Sequence, residues 1–316
     1  MAFTNTDTNM TTSAGLAPGM QTYYNRQLLK TFEPKLVHLQ FGDEHILPPN
    51  SGKVMNLRKM VPVPSNTDEL QEGNPGDGVM LAETEVTMEI KQYGDYARCT
   101  DLLDMVHLDM NISRRVDMFG DAGARSVDVL VREELATCTN VIYANNKTSR
   151  TALTATDKIT SKELRKAVRT LKKARAQTFD GWYIAIVGPD VIFDLQDDET
   201  FISVAKYQDK EAVYTGEIGR LWGVRLIETT EAKIFEGAGS SGADVASVIV
   251  LGKYAYGYTG LKGGAKPHVI VKPVGSAGTD DPLNQISTVG WKIDGFGVKM
   301  LQPEYAVRIE CGVTGA

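Results

Sequence analysis

The stretch QYGDYARCTDLLDMVHLDM, Gln92 to Met110, gathers Asp95, Cys99, Asp101, Asp104, His107 and Asp109 into one window. Carboxylates, a thiol and an imidazole this close together could form a metal site, a catalytic site, or the place where a strand hands over to a helix. The flanking residues favour the third. Upstream, Val86, Met88 and Ile90 alternate with Glu85, Thr87, Glu89 and Lys91, the period-two signature of a half-buried strand. The alternation slips at Tyr93-Gly94, which predicts a bulge there. Thr100 or Asp101 can cap a short helical turn over LLDMV, with Asp104 near its positive end. Downstream, Val127, Leu130, Val131, Leu135, Cys138 and Ile142 recur at three and four. That spacing predicts a long helix from Met110 to Asn146, ~50 Å if unbroken at ~1.5 Å per residue, with Gly120 and Gly123 weakening its first third.

Toward the N-terminus, the first twenty residues are rich in Thr, Asn, Gly and Ala and are expected to be a mobile or partner-bound arm. QTYYNRQLLKTFEPKLVHLQFG then turns amphipathic and is interrupted at Pro34. Lys53 to Val63 reads as a strand stopped by Pro62 and Pro64. The polar segment that follows, PSNTDELQEGNPGDG, cannot continue either regular element. With the strand over Val86 to Ile90, it describes a long β-excursion reaching out from the body.

Toward the C-terminus, a second helix opens on the capping box Thr160-x-x-Glu163, with Leu164, Ala167, Val168 and Leu171 on one face. Its other face holds Lys162, Arg165, Lys166, Arg169, Lys172 and Lys173. WYIAIVG, ended by Gly188-Pro189, and VRLIET, ASVIVLGKYAYGY, PHVIVKPV and EYAVRIECGV read as strands. The order of elements is α+β with an intermixed sheet, not a series of βαβ units, and no internal repeat is visible.

The 316 residues carry a formal net charge of −6, a poor electrostatic footprint for gripping nucleic acid. No run approaches the ~18 apolar residues needed to cross a bilayer. The N-terminus lacks the basic and apolar regions of a secretory signal, so an oxidising compartment is not expected. Cys99, Cys138 and Cys311 are far apart with no CxxC pairing, and read as buried small hydrophobes rather than disulfide partners or zinc ligands.

The catalytic inventory is close to empty, and no cofactor is expected. Gly237-Ala238-Gly239-Ser240-Ser241-Gly242 spells GxGxxG, but the next segment, ADVASVIVLG, is β-branched where a dinucleotide site needs a helix N-terminus. It reads as a flexible hairpin loop. GYTGLKGGAK does not supply a P-loop. His38 and His45, seven apart around Gly42, read as a surface turn rather than a metal pair. The basic helix, Lys158 to Arg175, is the best candidate for a polyanion contact, against the plainer reading of a solvated face or one docked on an acidic neighbour. No aromatic platform is interleaved with it, so single-strand binding is not supported.

An arm, an outstretched β-excursion, a long helix, a mixed domain and closing strands together resemble the major capsid proteins of tailed bacteriophages, which share the Hong Kong 97-type fold. Local matches resemble the capsid family typified by phage N-four. QYG followed by TDLLD, Gln92 to Asp104, is similar to that family's transition from extended loop to spine helix. YIAIVGPDVIFDLQDD and GEIGRLWGVRLIET are similar to its strand-Pro-helix and Gly-x-x-Gly segments. Most specific is DPLNQISTVGWKIDGFGVKMLQPEYAVRIE, Asp281 to Glu310. The sequence departs from the family in having Asn284 where a Gly is frequent, and in its short EGNPGDG tip.

The resemblance, which covers roughly residues 20 to 312, implies an N-arm at 1–40 and an extended loop at 41–109. A spine helix and peripheral domain would follow at 110–179, an axial domain at 180–260, and closing strands of the peripheral domain at 261–316. It implies a non-enzymatic subunit forming hexamers and pentamers of an icosahedral shell around double-stranded DNA. That shell would be the virion capsid, assembled in the host bacterial cytoplasm with scaffold and portal and optionally a decoration protein, and without a membrane. An encapsulin-like compartment holding a cargo enzyme is the alternative. Expected assembly contacts are the loop tip, Glu72, Gly73, Asn74, Pro75 and Gly76, and the charged helix residues Arg114, Arg132 and Arg165.

Overall fold

Strands that must hide both faces need apolar residues at every position, whereas a half-exposed strand needs them only at alternate ones. Both kinds occur here, and they sort into different sheets. The computed structural model describes residues 37–48, 50–67, 69, 78–106, 112–198, 220–261, 267–276 and 281–313. The expected N-arm up to residue 36, the tip residues Glu72 to Gly76, and His107 and Asp109 lie outside them.

After a 3-10 turn at His38–Phe41 come β1 (Asp43–Leu47), β2 (Val54–Met60), β3 (Glu83–Glu89), β4 (Lys91–Thr100), α1 (Asp101–Val106) and α2 (Ile112–Leu135). β5 (Val141–Tyr143), α3 (Ser161–Lys173), β6 (Tyr183–Val187), α4 (Pro189–Gln196), β7 (Arg220–Leu221), β8 (Val224–Glu228) and β9 (Ile234–Phe235) follow. The chain closes with β10 (Val245–Leu251), β11 (Tyr256–Leu261), β12 (His268–Lys272), β13 (Ile286–Met300) and β14 (Ala306–Gly312).

One sheet runs β5-β14-β10-β6-β8-β7, with β9 also paired to β10. β6, β10 and β14 are buried along their whole length. Their alternating side chains feed two cores. Ala185, Val248 and Val250 pack with Leu164, Val168 and Leu171 of α3 and with Val191 and Leu195 of α4. Ile184, Ile186, Ile249 and Leu251 point the other way, into a core shared with α2 and the second sheet. That second sheet runs β1-β11-β13-β12, with β4 on the other edge of β13. The expected closing strands are therefore divided: β12 and β13 belong to the second sheet, whereas β14 pairs with β10 and β5 in the first.

α2 presents Val116, Ala124, Val127, Val131 and Leu135 to the second core. Gly120 and Gly123 lie on the same buried stripe, and the helix continues through them. It ends earlier than its periodicity predicts. Its 24 residues span about 36 Å, and Cys138 and Ile142 lie beyond it. From Thr137 the sequence TCTNVIY is β-branched and aromatic, and it turns into β5, where Ile142 pairs with Ile309. Similarly, ASVIVLGKYAYGY is not one strand. Gly252, where an added Cβ would meet Ala176 and the Gln177 carbonyl at 3.0 and 3.1 Å, begins a turn that carries the chain from β10 in one sheet to β11 in the other.

Candidate assembly surfaces

The excursion is a two-stranded ribbon. β2 and β3 pair antiparallel from Val54 opposite Glu89 to Met60 opposite Glu83. At its base the Ile90 N–H donates to the Lys53 carbonyl at 2.9 Å, and Leu57 and Val86 border a cleft with Tyr254 and Leu301 of the body. Farther out the Val61 N–H donates to the Ala82 carbonyl, and there the apolar side chains lose cover. Met80 is 93% exposed and Leu81 77%, with Met60, Val61, Val63 and Val79 exposed beside them. An isolated ribbon of two strands has no core of its own, and a contiguous apolar patch of this kind marks an interaction site.

At the junction, β4 runs antiparallel to β13, with Asp95 opposite Trp291 and Cys99 opposite Ser287. Gly94 is required by close approach, since a Cβ there would sit 2.7 Å from the Trp291 carbonyl oxygen. The irregularity expected at Tyr93-Gly94 falls on the facing strand: β13 holds the extra residue between Ile293 and Phe296, opposite Tyr93 and Lys91. The acids serve the backbone. Asp95 accepts from the Tyr96 N–H at 2.8 Å, Asp101 from the Leu102 N–H at 2.7 Å, and Thr100 Oγ1 from the Leu103 N–H at 3.4 Å. Among the described residues no group of three or more His, Cys, Asp or Glu is placed to hold a metal. α1 leaves Leu102, Leu103 and Met105 exposed, a second uncovered apolar patch.

Cys99 is half-buried rather than buried, whereas Cys138 and Cys311 are enclosed, and none is in a disulfide. Burial pushes both enclosed thiols up, that of Cys311 to about 12, with the negative charges of Asp194, Glu163 and Glu310 adding to the effect.

The basic helix α3 starts on its expected capping box, the Thr160 N–H donating to Glu163 Oε2 at 3.2 Å. Lys166 is held by Asn146 at 2.6 Å and by Glu163 at 3.5 Å. Arg165, Arg169, Lys172 and Lys173 instead line an open cleft of about 450 Å³ with Val168 and Trp222. The Arg165 guanidinium lies 4.9 Å from the centre of the Trp222 ring, which is 41% exposed. The expectation that no aromatic accompanies this helix is thus corrected, because the ring arrives from a distant hairpin. Trp222 and Gly223 form the two-residue turn between β7 and β8, with φ of 52° and 85°. Such a turn favours Asn or Gly at its first central position, so a bulky ring there is held at a conformational cost.

A family model described as phage capsid protein matches residues 83–309, well over half of the chain. The chain belongs to the phage capsid protein family. None of the curated proteins matches it by sequence. Among solved structures, the capsid of cyanophage P-SCSP1u is 15% identical with a TM-score of 0.66, covering 87% of each chain. The capsid of Ralstonia phage GP4 is 15% identical at 0.65, covering 85% of this chain and 87% of that one. The cyanophage Pam1 capsid is 14% identical at 0.66, covering 90% and 93%. At such identities the likeness is one of fold, the Hong Kong 97-type α+β architecture. This capsid protein is therefore a subunit of a phage shell, and its uncovered surfaces are to be read as surfaces that meet other subunits.

Of the expected contact residues in this capsid protein, Arg165 sits in the basic cleft and Arg132 is engaged within its own chain. Arg132 donates to the Glu231 carbonyl at 3.1 Å and to Glu133 at 2.7 Å. Burial alone would push the Glu133 carboxyl up, but hydrogen bonds and charge from Lys233 and Arg132 outweigh it and hold it low. Arg114 lies in the first turn of α2, and its side chain is outside the described residues. His38 is buried, contrary to the surface-turn expectation. Its Nδ1 lies 2.6 Å from Asp128 Oδ2, its N–H donates to Oδ1 at 2.9 Å, and the Tyr256 hydroxyl donates to its carbonyl. His45 is on β1, 3.4 Å from Asp43. Gly237 to Gly242 form the loop between β9 and β10, pinned where the Ser240 N–H donates to the Leu153 carbonyl at 2.7 Å.

Proposed function

We propose that the chain is the major capsid protein of a tailed phage. It assembles into hexamers and pentamers of an icosahedral shell, in the host bacterial cytoplasm, around packaged double-stranded DNA. The observation that carries this reading, within the family, is the ribbon whose outer half exposes Met80, Leu81 and their neighbours on a chain whose remaining apolar residues fill two cores. Contacts that close around local axes make rings, rings tile a shell, and many modest contacts sum through multivalency. A net charge of −6 suits a container that holds DNA without adhering to it. The role is structural, without catalysis, with scaffold, portal and an optional decoration protein as partners. In this reading 1–40 is the arm, 41–109 the extended loop, 110–179 and 261–316 the peripheral parts and 180–260 the axial part. Glu72 to Gly76, Arg114, Arg132 and Arg165 are its contact residues.

Negative-stain microscopy of the expressed chain, with scaffold where required, is expected to show shells, tubes or hexamers. A strictly monomeric species under all such conditions would overturn the reading. Shells that enclose an enzyme cargo in place of nucleic acid would point to the encapsulin-like alternative.

A further inference from the structure

Between Lys59 and Lys91 the chain has no lysine or arginine, yet it carries seven carboxylates, from Asp68 to Glu89. That is more negative charge than the whole chain nets at −6. The same segment holds the exposed Met80 and Leu81. The outer ribbon is therefore acidic and apolar at once, and solvent alone covers it.

The cleft on α3 is its converse. Arg165, Lys162, Arg169, Lys172 and Lys173 are exposed, and among the described residues none of them is in an ion pair with a carboxylate. Arg225, also exposed, stands in the register opposite Arg220 at the base of the Trp222 turn, a like-charged cross-strand pair that disfavours the hairpin unless an anion sits nearby. In the middle are apolar surfaces, Val168 and the ring of Trp222. A non-glycine residue of this bulk at positive φ is strained, and strain of this kind collects where a surface is shaped for a partner.

We propose that this cleft is the docking site for the outer β2–β3 ribbon of a second copy of the chain. Carboxylates of the ribbon meet Arg165, Arg169, Lys172 and Lys173, and Met80 or Leu81 covers Trp222. The proposal rests on the shell reading above and adds to it the receiving surface. Nucleic acid would satisfy the cations equally well, but it would leave the ribbon's apolar side chains bare. A single exposed ring is also a poor platform for successive bases. The acidic ribbon matches both the charge and the apolar parts of the cleft.

The test uses full-length chain assembled into shells, with a benzophenone amino acid replacing Met80. Irradiation is expected to join copies through peptides containing Trp222 or residues 161–173, and adducts confined to other peptides would overturn the proposal. The triple variant R165E/R169E/K172E is expected to lower shell yield roughly ten-fold, and E83K/E85K to do likewise, since like charges facing each other oppose association. Combining the two sets should restore much of the yield, and no recovery counts against the pairing. W222N guards against misfolding as an explanation. Asn suits the turn, so the dispersed subunit should melt no lower than wild type while shell yield falls. Normal shells from R165E/R169E/K172E that retain less DNA would assign the cleft to nucleic acid and sink the proposal alone. Failure of the unmodified chain to form any shell would sink the shell reading as well.

Discussion

The seven-stranded sheet and the β2–β3 ribbon are built from similar strands but stand in opposite relations to the rest of the chain. In the sheet, every residue of β10 and β14 is buried, and even the charges are matched internally. Arg150 grips Glu310 with two bonds of 2.8 and 2.7 Å, Arg308 reaches the same carboxylate at 2.8 Å, and the Phe235 ring lies 3.5 Å from the Arg150 guanidinium. In the ribbon, apolar and acidic side chains alike are left to solvent beyond Met60. The sheet is complete within one subunit, and the ribbon is complete only in an assembly. Substitutions in the two regions should therefore report on different quantities, subunit stability for one and association for the other.

The sharpest way to test the contrast is Glu310→Ala, which strands two arginines around a buried vacancy. It is expected to cost about 3–5 kcal/mol of subunit stability, read by denaturant unfolding of the dispersed chain. Leu171→Ala empties a fully buried site between α3 and the sheet, and should cost about 2–5 kcal/mol in the same measurement.

Asp157→Asn should cost about 1–3 kcal/mol at neutral pH. The buried Asp157 carboxylate accepts from Asn145 at 2.8 Å, from the Thr154 N–H at 2.9 Å and from its hydroxyl at 2.8 Å. Burial pushes this carboxyl up, but those bonds and the Lys147 charge outweigh it, so it stays low. The folded state then binds fewer protons than the unfolded one. The contribution is present above the ordinary carboxylate range and is lost as pH falls through the folded value. Unfolding midpoints measured from neutral to acidic pH should fall less steeply for the Asn variant. Smallest on the same scale is Met80→Ser with Leu81→Ser, expected within about ±0.5 kcal/mol for the dispersed subunit. Light scattering of an assembly reaction should nevertheless show a marked loss. A large drop in subunit stability instead would erase the distinction between the two regions.

Features that depend on near neighbours in sequence were legible before the fold. The alternation over Val86 to Ile90, the capping box at Thr160 and the crowded acids at Asp95 and Asp101 all act within a few residues. Each appears where its local pattern predicts. Features decided by distant segments were not legible. Nothing near His38 reveals that Asp128 waits in the middle of α2, and nothing near Arg165 announces a ring from Trp222. The end of α2 was misjudged for a related reason. Cys138 and Ile142 keep a helical spacing by coincidence, while β14 draws the segment at Val141 into a strand. The exposed Leu102, Leu103 and Met105 could have been noticed, since three apolar residues in one short helix exceed what a single buried face can use.

His38 sits where the chain enters the described part of the subunit, and its grip is on the centre of the long helix rather than on a surface loop. Tyr256 adds a hold from β11. A load applied by a neighbour to the residues ahead of Val37 is therefore delivered at Asp128, midway along α2. The entering segment works as a lever whose fulcrum lies inside the subunit, so a pull from outside tilts the helix and the sheet behind it together.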